Sequence, residues 1–158
     1  MKIKDIMHSK PFTVHRNASV DQAARLMWEN DLGALPVIDD NDHVIGMITD
    51  RDIAMAAFTQ GRALTDITVD SSMSKSLYCC ELGDELEKAQ DLMRQHQVRR
   101  IPVLDNSNHL VGLLSLNDIA LAYSGRSKKD VKAESVADTL SAISRHRPQL
   151  SIAQQHVA

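Results

Sequence analysis

The sequence predicts an α+β fold made of two pseudo-symmetric repeats, each a small β-sheet packed on helices. Three observations carry this. The chain matches itself without a gap at an offset of 66 residues, so that Gly46 falls on Gly112, Pro36-Val37 on Pro102-Val103, Leu26-Met27 on Leu92-Met93 and Asp52-Ile53-Ala54 on Asp118-Ile119-Ala120. Within each copy, stripes at helical spacing alternate with short apolar runs bounded by polar turns. The length of 158 residues, 43% hydrophobic and 25% charged, suits one compact domain or two small ones with a core that needs no staples. The copies span about 3–61 and 69–125, and a tail follows over 126–158.

In copy one a short lead-in strand is expected around Thr13-Val14. Ser19 with Gln22 three residues later is a capping-box start, and Val20, Ala23, Ala24 and Met27 carry a helix over about 19–30. Leu35-Pro36-Val37-Ile38 and Val44-Ile45-Gly46-Met47-Ile48 read as two strands flanking the polar turn Asp39-Asp40-Asn41-Asp42. Asp50 is placed to cap a second helix through Ile53, Ala54, Ala57 and Phe58, and Gly61 to end it. In copy two Asp84 with Glu87 is expected to play the cap, with Leu86, Ala89 and Met93 as the stripe. One copy buries too little alone, so the two apolar faces are expected to pack about an approximate twofold axis, creating two related pockets at the seam.

Composition excludes several classes of function. A net charge of −3 from 18 basic and 21 acidic side chains, with one Trp, two Tyr and two Phe, offers neither a basic field nor stacking platforms, so no nucleic-acid partner is expected. No run approaches the roughly 18–20 apolar residues that cross a bilayer, so no membrane partner is expected and the location is read as cytoplasmic. The adjacent Cys79-Cys80 provides neither a disulfide framework nor a zinc site. Asp39-Asp40-Asn41-Asp42 lacks the twelve-residue loop and closing Glu of a calcium site, and His8, His15 and His96 show no metal spacing. His43 and His109 read as equivalent turn residues. With no nucleophile elbow, P-loop or paired catalytic carboxylates, the chain is not read as an enzyme.

The chemistry lies where the second strand meets the second helix. Gly46-Met47-Ile48-Thr49-Asp50-Arg51-Asp52 and Gly112-Leu113-Leu114-Ser115-Leu116-Asn117-Asp118 share a Gly, two apolar residues, a hydroxyl residue, two variable positions and an Asp. A carboxylate offers two acceptor oxygens to the vicinal hydroxyls of a ribose, and the first-turn N–H groups of a helix attract phosphate. The competing reading is a helix cap, the commonest use of such residues. A cap needs only one of them, yet both copies keep a hydroxyl residue and an Asp at the same separation.

Asp5-Ile6-Met7, the strand entries Leu35-Pro36-Val37 and Ile101-Pro102-Val103 and the twin Gly-x-x-Thr/Ser-x-x-Asp exits resemble a pair of cystathionine β-synthase (CBS) domains, a Bateman module, over about residues 3–125. The resemblance implies binding of adenosine-containing ligands (AMP, ADP, ATP, NAD or S-adenosylmethionine) in the cleft between repeats, and association as homodimers. It implies that Asp52 and Asp118 hold ribose hydroxyls, that Thr49 and Ser115 bind ribose or the proximal phosphate, and that Leu35 and Ile101 line an adenine pocket. Arg100, with Arg99 beside it, resembles the phosphate-binding cation, and Arg51 adds a charge in copy one. The copies differ in charge: Gly33-Ala34 stand where copy two has Arg99-Arg100, and Leu116-Asn117 where copy one has Asp50-Arg51.

Cys79-Cys80 fall on Thr13-Val14 and read as packing residues. After Gly125 a basic linker, Arg126-Ser127-Lys128-Lys129, leads to a short amphipathic helix marked by Val136, Leu140 and Ile143 and ending near His146-Arg147-Pro148, with 149–158 expected to be loosely ordered. The leading expectation is a stand-alone sensor of adenine nucleotides that signals to a protein client. The alternative is a dimeric scaffold with vestigial pockets whose C-terminal helix docks that client. RNA binding through Arg99, Arg100, Arg126, Lys128 and Lys129 is a third and weaker reading.

Overall fold

A computed structural model describes residues 1–124 and 131–146. The first repeat holds β2 (Val14–His15), α1 (Val20–Glu29), β3 (Ala34–Ile38), β4 (Val44–Thr49) and α2 (Asp50–Gln60); β1 (His8–Ser9) precedes it. The second holds β5 (Cys80–Glu81), α3 (Leu86–His96), β6 (Arg100–Leu104), β7 (Leu110–Ser115) and α4 (Leu116–Ser124), and α5 (Ala133–Ser144) follows. In each repeat the lead-in strand runs parallel to its neighbour and the next two strands form an antiparallel hairpin, giving the orders β2-β3-β4 and β1-β7-β6-β5. The doubled α+β architecture is the expected one. Among the described residues, no helix is long and apolar enough to cross a membrane.

The helix starts divide between expectation and correction. Ser19 and Gln22 form the reciprocal capping box, and α1 buries Val20, Ala23 and Met27. The box expected from Asp84 and Glu87 does not form. Glu85 holds the cap position without a capping side chain, because its carboxylate is engaged by the Met1 amino group and Lys2. Asp84 instead accepts hydrogen bonds from the Glu81 N–H at 2.8 Å and the Lys88 ammonium at 2.7 Å. Nor does Asp50 cap α2: Thr49 does, with Asp52 completing the box, and Asp50 is the first helical residue. Gly61 ends α2 in the left-handed conformation, φ 59°, where its N–H donates to the Ala57 carbonyl.

The repeats trade their leading segments. Ile3 is fully buried in the core of the second repeat, among Leu86, Met93, Ile101 and Leu114. Its counterpart Val69 lies with Ile67 in the core of the first, among Val20, Leu35, Val37 and Ile48. Backbone bonds repeat the exchange: Ile3 N–H to Asp84 carbonyl at 3.0 Å matches Val69 N–H to Ala18 carbonyl at 2.9 Å. β1 then pairs with β7, placing Ser9 opposite Gly112, and Met47 bridges to Ser74. A Cβ on Gly46 would stand 2.5 Å from the Ser74 carbonyl oxygen, and one on Gly112 would collide with the Met7 sulfur. Glycine at these positions is what lets the borrowed segment lie against the hairpin.

The hairpin turns meet at the pseudo-twofold axis, where His43 and His109 bridge and their rings stack 5.8 Å apart. Cys80 is buried and Cys79 half-buried, and burial pushes both thiols up to about 11, in keeping with packing. The C-terminal helix forms, with Ile143 buried and Val136 partly so, but Leu140 is half-exposed rather than part of the inward stripe. Thr139 takes the inward place: it is fully buried and accepts from the Arg94 guanidinium at 2.9 Å, so α5 docks on α3 through polar as well as apolar groups. The basic linker and the segment 149–158 lie outside the described residues, as do Arg126, Lys128 and Lys129.

Candidate functional site

Both hydroxyl–carboxylate pairs sit at the strand-to-helix junctions that face the seam. In the first repeat the Thr49 N–H and hydroxyl each donate to Asp52 Oδ2 at 2.8 Å, and the Asp52 N–H donates back to Thr49 Oγ1 at 3.2 Å. The second repeats this: Ser115 N–H and hydroxyl donate to Asp118 Oδ2 at 2.7 and 2.6 Å, with a 3.2 Å return bond. Capping and ligand-holding, posed as rivals by the sequence, need not compete for the same atoms. Each cap consumes Oδ2 alone. Among the described residues, Oδ1 of Asp52 and of Asp118 accepts no hydrogen bond, and both side chains are half-buried. One carboxylate oxygen carries two lone pairs, enough for a diol.

The strand register decides what lies beside each pair. Ser115 stands opposite Arg100, whereas Thr49 stands opposite Ala34. The strand position that holds a cation in the second repeat therefore holds alanine in the first. Arg100 reaches out of the second repeat toward the first, where its Nη2 lies 3.1 Å from the point a Cβ on Gly33 would occupy. Asp50 Oδ2 lies 3.5 Å from that same point, while Asp50 Oδ1 is held by the Arg51 N–H at 2.8 Å. Among the described residues, the Arg100 side chain makes no hydrogen bond and no direct ion pair. Burial lowers its pKa from the usual arginine value, Asp50 and Asp118 pull it back up, and Arg99 lowers it further. The guanidinium is thus half-buried and without a contact partner.

The remaining expected site residues scatter. Leu35 and Ile101 are fully enclosed, one in each core, and their side chains present no surface to a ligand in this structure. Arg51 and Arg99 are exposed, and the Arg99 carbonyl accepts the Leu116 N–H at 3.0 Å. Two open grooves, one between α3 and α5 and one beside β2 and α1, lie away from Asp52 and Asp118. Sequence reasoning missed Gly33 and Asp50. The signal was there in the charge divergence of the copies, since Gly33 supplies the clearance that Arg100 uses and Asp50 the charge that faces it.

The CBS domain model matches twice, over residues 3–58 and 64–125. The CBS domain-containing protein YhcV of Bacillus subtilis (strain 168) is 40% identical over 119 residues, covering 75% of this chain and 83% of its own. Among solved structures, the CBS domain pair of protein MJ0100, in complex with 5′-methylthioadenosine and S-adenosyl-L-methionine, superposes with a TM-score of 0.72 at 25% identity, covering 80% of this chain and 98% of that one. CBSX2 in complex with AMP gives a TM-score of 0.68 at 29% identity, covering 78% and 96%. The doubled fold, the paired Gly-x-x-Thr/Ser-x-x-Asp junctions and these likenesses converge, and the chain belongs to the CBS domain family, with its two domains forming a pair.

Proposed function

We propose that this chain is a regulatory module that binds an adenosine-containing ligand at the seam between its repeats, with Arg100, Ser115 and Asp118 as the main site. The observation that carries this reading is the unpartnered, half-desolvated Arg100 guanidinium within electrostatic reach of Asp118, whose Oδ1 is open: a cation for a phosphate at the start of β6 and an acceptor for a ribose in the first turn of α4. The complexes of MJ0100 and CBSX2 with adenosine compounds support the ligand class. AMP, ADP, ATP and NAD share the two groups the site addresses. Thr49, Asp52 and Arg51 form the second, cation-poorer site, so the two junctions are expected to differ in affinity. A ligand spanning the seam would shift the relative orientation of the repeats, by no more than its differential affinity for the two states, for a client to read.

Isothermal titration with AMP, ADP, ATP, NAD and S-adenosylmethionine tests this. Binding is expected to weaken about ten- to a hundredfold in Asp118→Ala, the loss of charged-acceptor hydrogen bonds worth about 1.5–3 kcal/mol. Arg100→Ala is expected to weaken phosphate-bearing ligands. No heat from any of the five would end the reading.

A scaffold reading rests on a separate observation. Trp28 on α1 is 88% exposed and Phe58 on α2 is 82% exposed, with Met55 half-exposed nearby in sequence. Large apolar side chains left in water mark a contact surface, and a homodimer through α1 and α2 would cover them. Sedimentation of the parent chain is expected to give a dimer, and Trp28→Asp with Phe58→Asp a monomer that keeps its ligand. The client-docking role expected of α5 is confined to its outer face, since its inner face is spent on α3.

A further inference from the structure

We infer that Asp50 is a charge-selectivity residue of the seam site, discriminating against anionic ligands by competing with them for Arg100; the inference rests on the adenosine-binding reading above. Asp50 belongs to neither hydroxyl–carboxylate pair of the two junctions: it is one of the positions at which the copies differ, and its counterpart in the second copy is the apolar Leu116. Its placement is nonetheless specific. Oδ1 is fixed by the Arg51 N–H, which turns Oδ2 toward Gly33. Arg100 arrives at the same spot from the other repeat, through space that any side chain at position 33 would fill. Arg100 and Asp50 therefore converge across the seam without joining in a direct ion pair.

The consequence is electrostatic. An arriving phosphate gains the attraction of Arg100 but meets the repulsion of Asp50 at similar range, so the site grants an anion less than the lone arginine would. A neutral adenosine compound meets neither effect. The acid thus sets the ratio of affinities for charged and uncharged adenosine ligands, while the ribose and base contacts set their common part. Asp50 is exposed, so the repulsion is screened by water and by salt.

The test titrates the parent chain and Asp50→Asn, which keeps the oxygen that accepts the Arg51 N–H, with AMP and with adenosine. The variant is expected to bind AMP about three- to tenfold more tightly and adenosine within about twofold of the parent, with the AMP gain shrinking as salt rises from about 0.05 to 0.5 M. Asp50→Glu, which keeps the charge, is expected to stay near the parent. Equal shifts for both ligands, no shift for AMP, or a gain that ignores salt would overturn the inference while leaving the adenosine reading intact. Absence of binding by both ligands to both proteins would overturn that reading and this inference together. Thermal melts of parent and variant identify misfolding, and a fold-compromised Asp50→Asn is replaced by Asp50→Ser under the same criteria.

Discussion

Gly46 and Gly112 occupy equivalent positions but are hemmed in by different atoms, and this separates their sensitivities. At Gly46 an added methyl meets the Ser74 backbone carbonyl, which is held by its bridge to Met47 and moves only with the main chain; at Gly112 it meets the flexible Met7 side chain. Gly46→Ala is expected to destabilise by about 2–3 kcal/mol and Gly112→Ala by about 1 kcal/mol or less, read from urea denaturation midpoints at constant m-value. Thr49 and Ser115 act through one atom each as caps, so Thr49→Ala is expected to cost about 1 kcal/mol of stability. At the same scale, Asp52 and Asp118 show why residue type alone left cap and ligand readings open: one carboxylate oxygen is engaged in the cap and the other is not, and a sequence does not distinguish oxygens.

The hairpin turns are the elements whose behaviour should depend most plainly on pH. The Asp39 carboxylate accepts the N–H groups of His43 and Asn41, and Asp105 those of His109 and Ser107, and these bonds hold both acids below the ordinary aspartate value. A depressed folded pKa contributes stability above the unfolded value near 3.8 and loses it as pH falls through the folded one. The double variant Asp39→Asn/Asp105→Asn is therefore expected to show a flatter fall in melting temperature between pH 6 and about 3 than the parent. The helices, hairpins and capped start of α1 were legible because their signals are local: periodicity, turn residues, Ser19 with Gln22. The start of α3 was misread because Glu85 is claimed by Met1 and Lys2, which lie far away in sequence. The half-exposed Leu140 was misread because α5 meets a surface of α3 carrying Gln90 and Arg94, so Thr139 and Ser135 face inward instead. The Arg100–Gly33–Asp50 convergence depends on how the repeats dock, which self-matching along the chain does not specify.

The molecule as a whole cannot be divided where its sequence repeats. A fragment ending before Ile67 lacks the residues that close its own core, and one beginning there carries residues that belong to the other. Residues 1–66 and 67–146 expressed apart are each expected to lack cooperative unfolding by circular dichroism, and an equimolar mixture to regain it. The same exchange fastens the seam from both sides with paired backbone, so the ligand response proposed above would have to pass through that pairing rather than through a loose hinge. One asymmetry remains in the helical layer. α5 lies over α3 and touches α4, whereas α1 and α2 keep Trp28 and Phe58 uncovered. In the dimer proposed through Trp28 and Phe58, like patch would meet like patch about a twofold axis, a contact that closes on itself and propagates no fibre, while the exposed Leu121 and Leu140 would stay outside it.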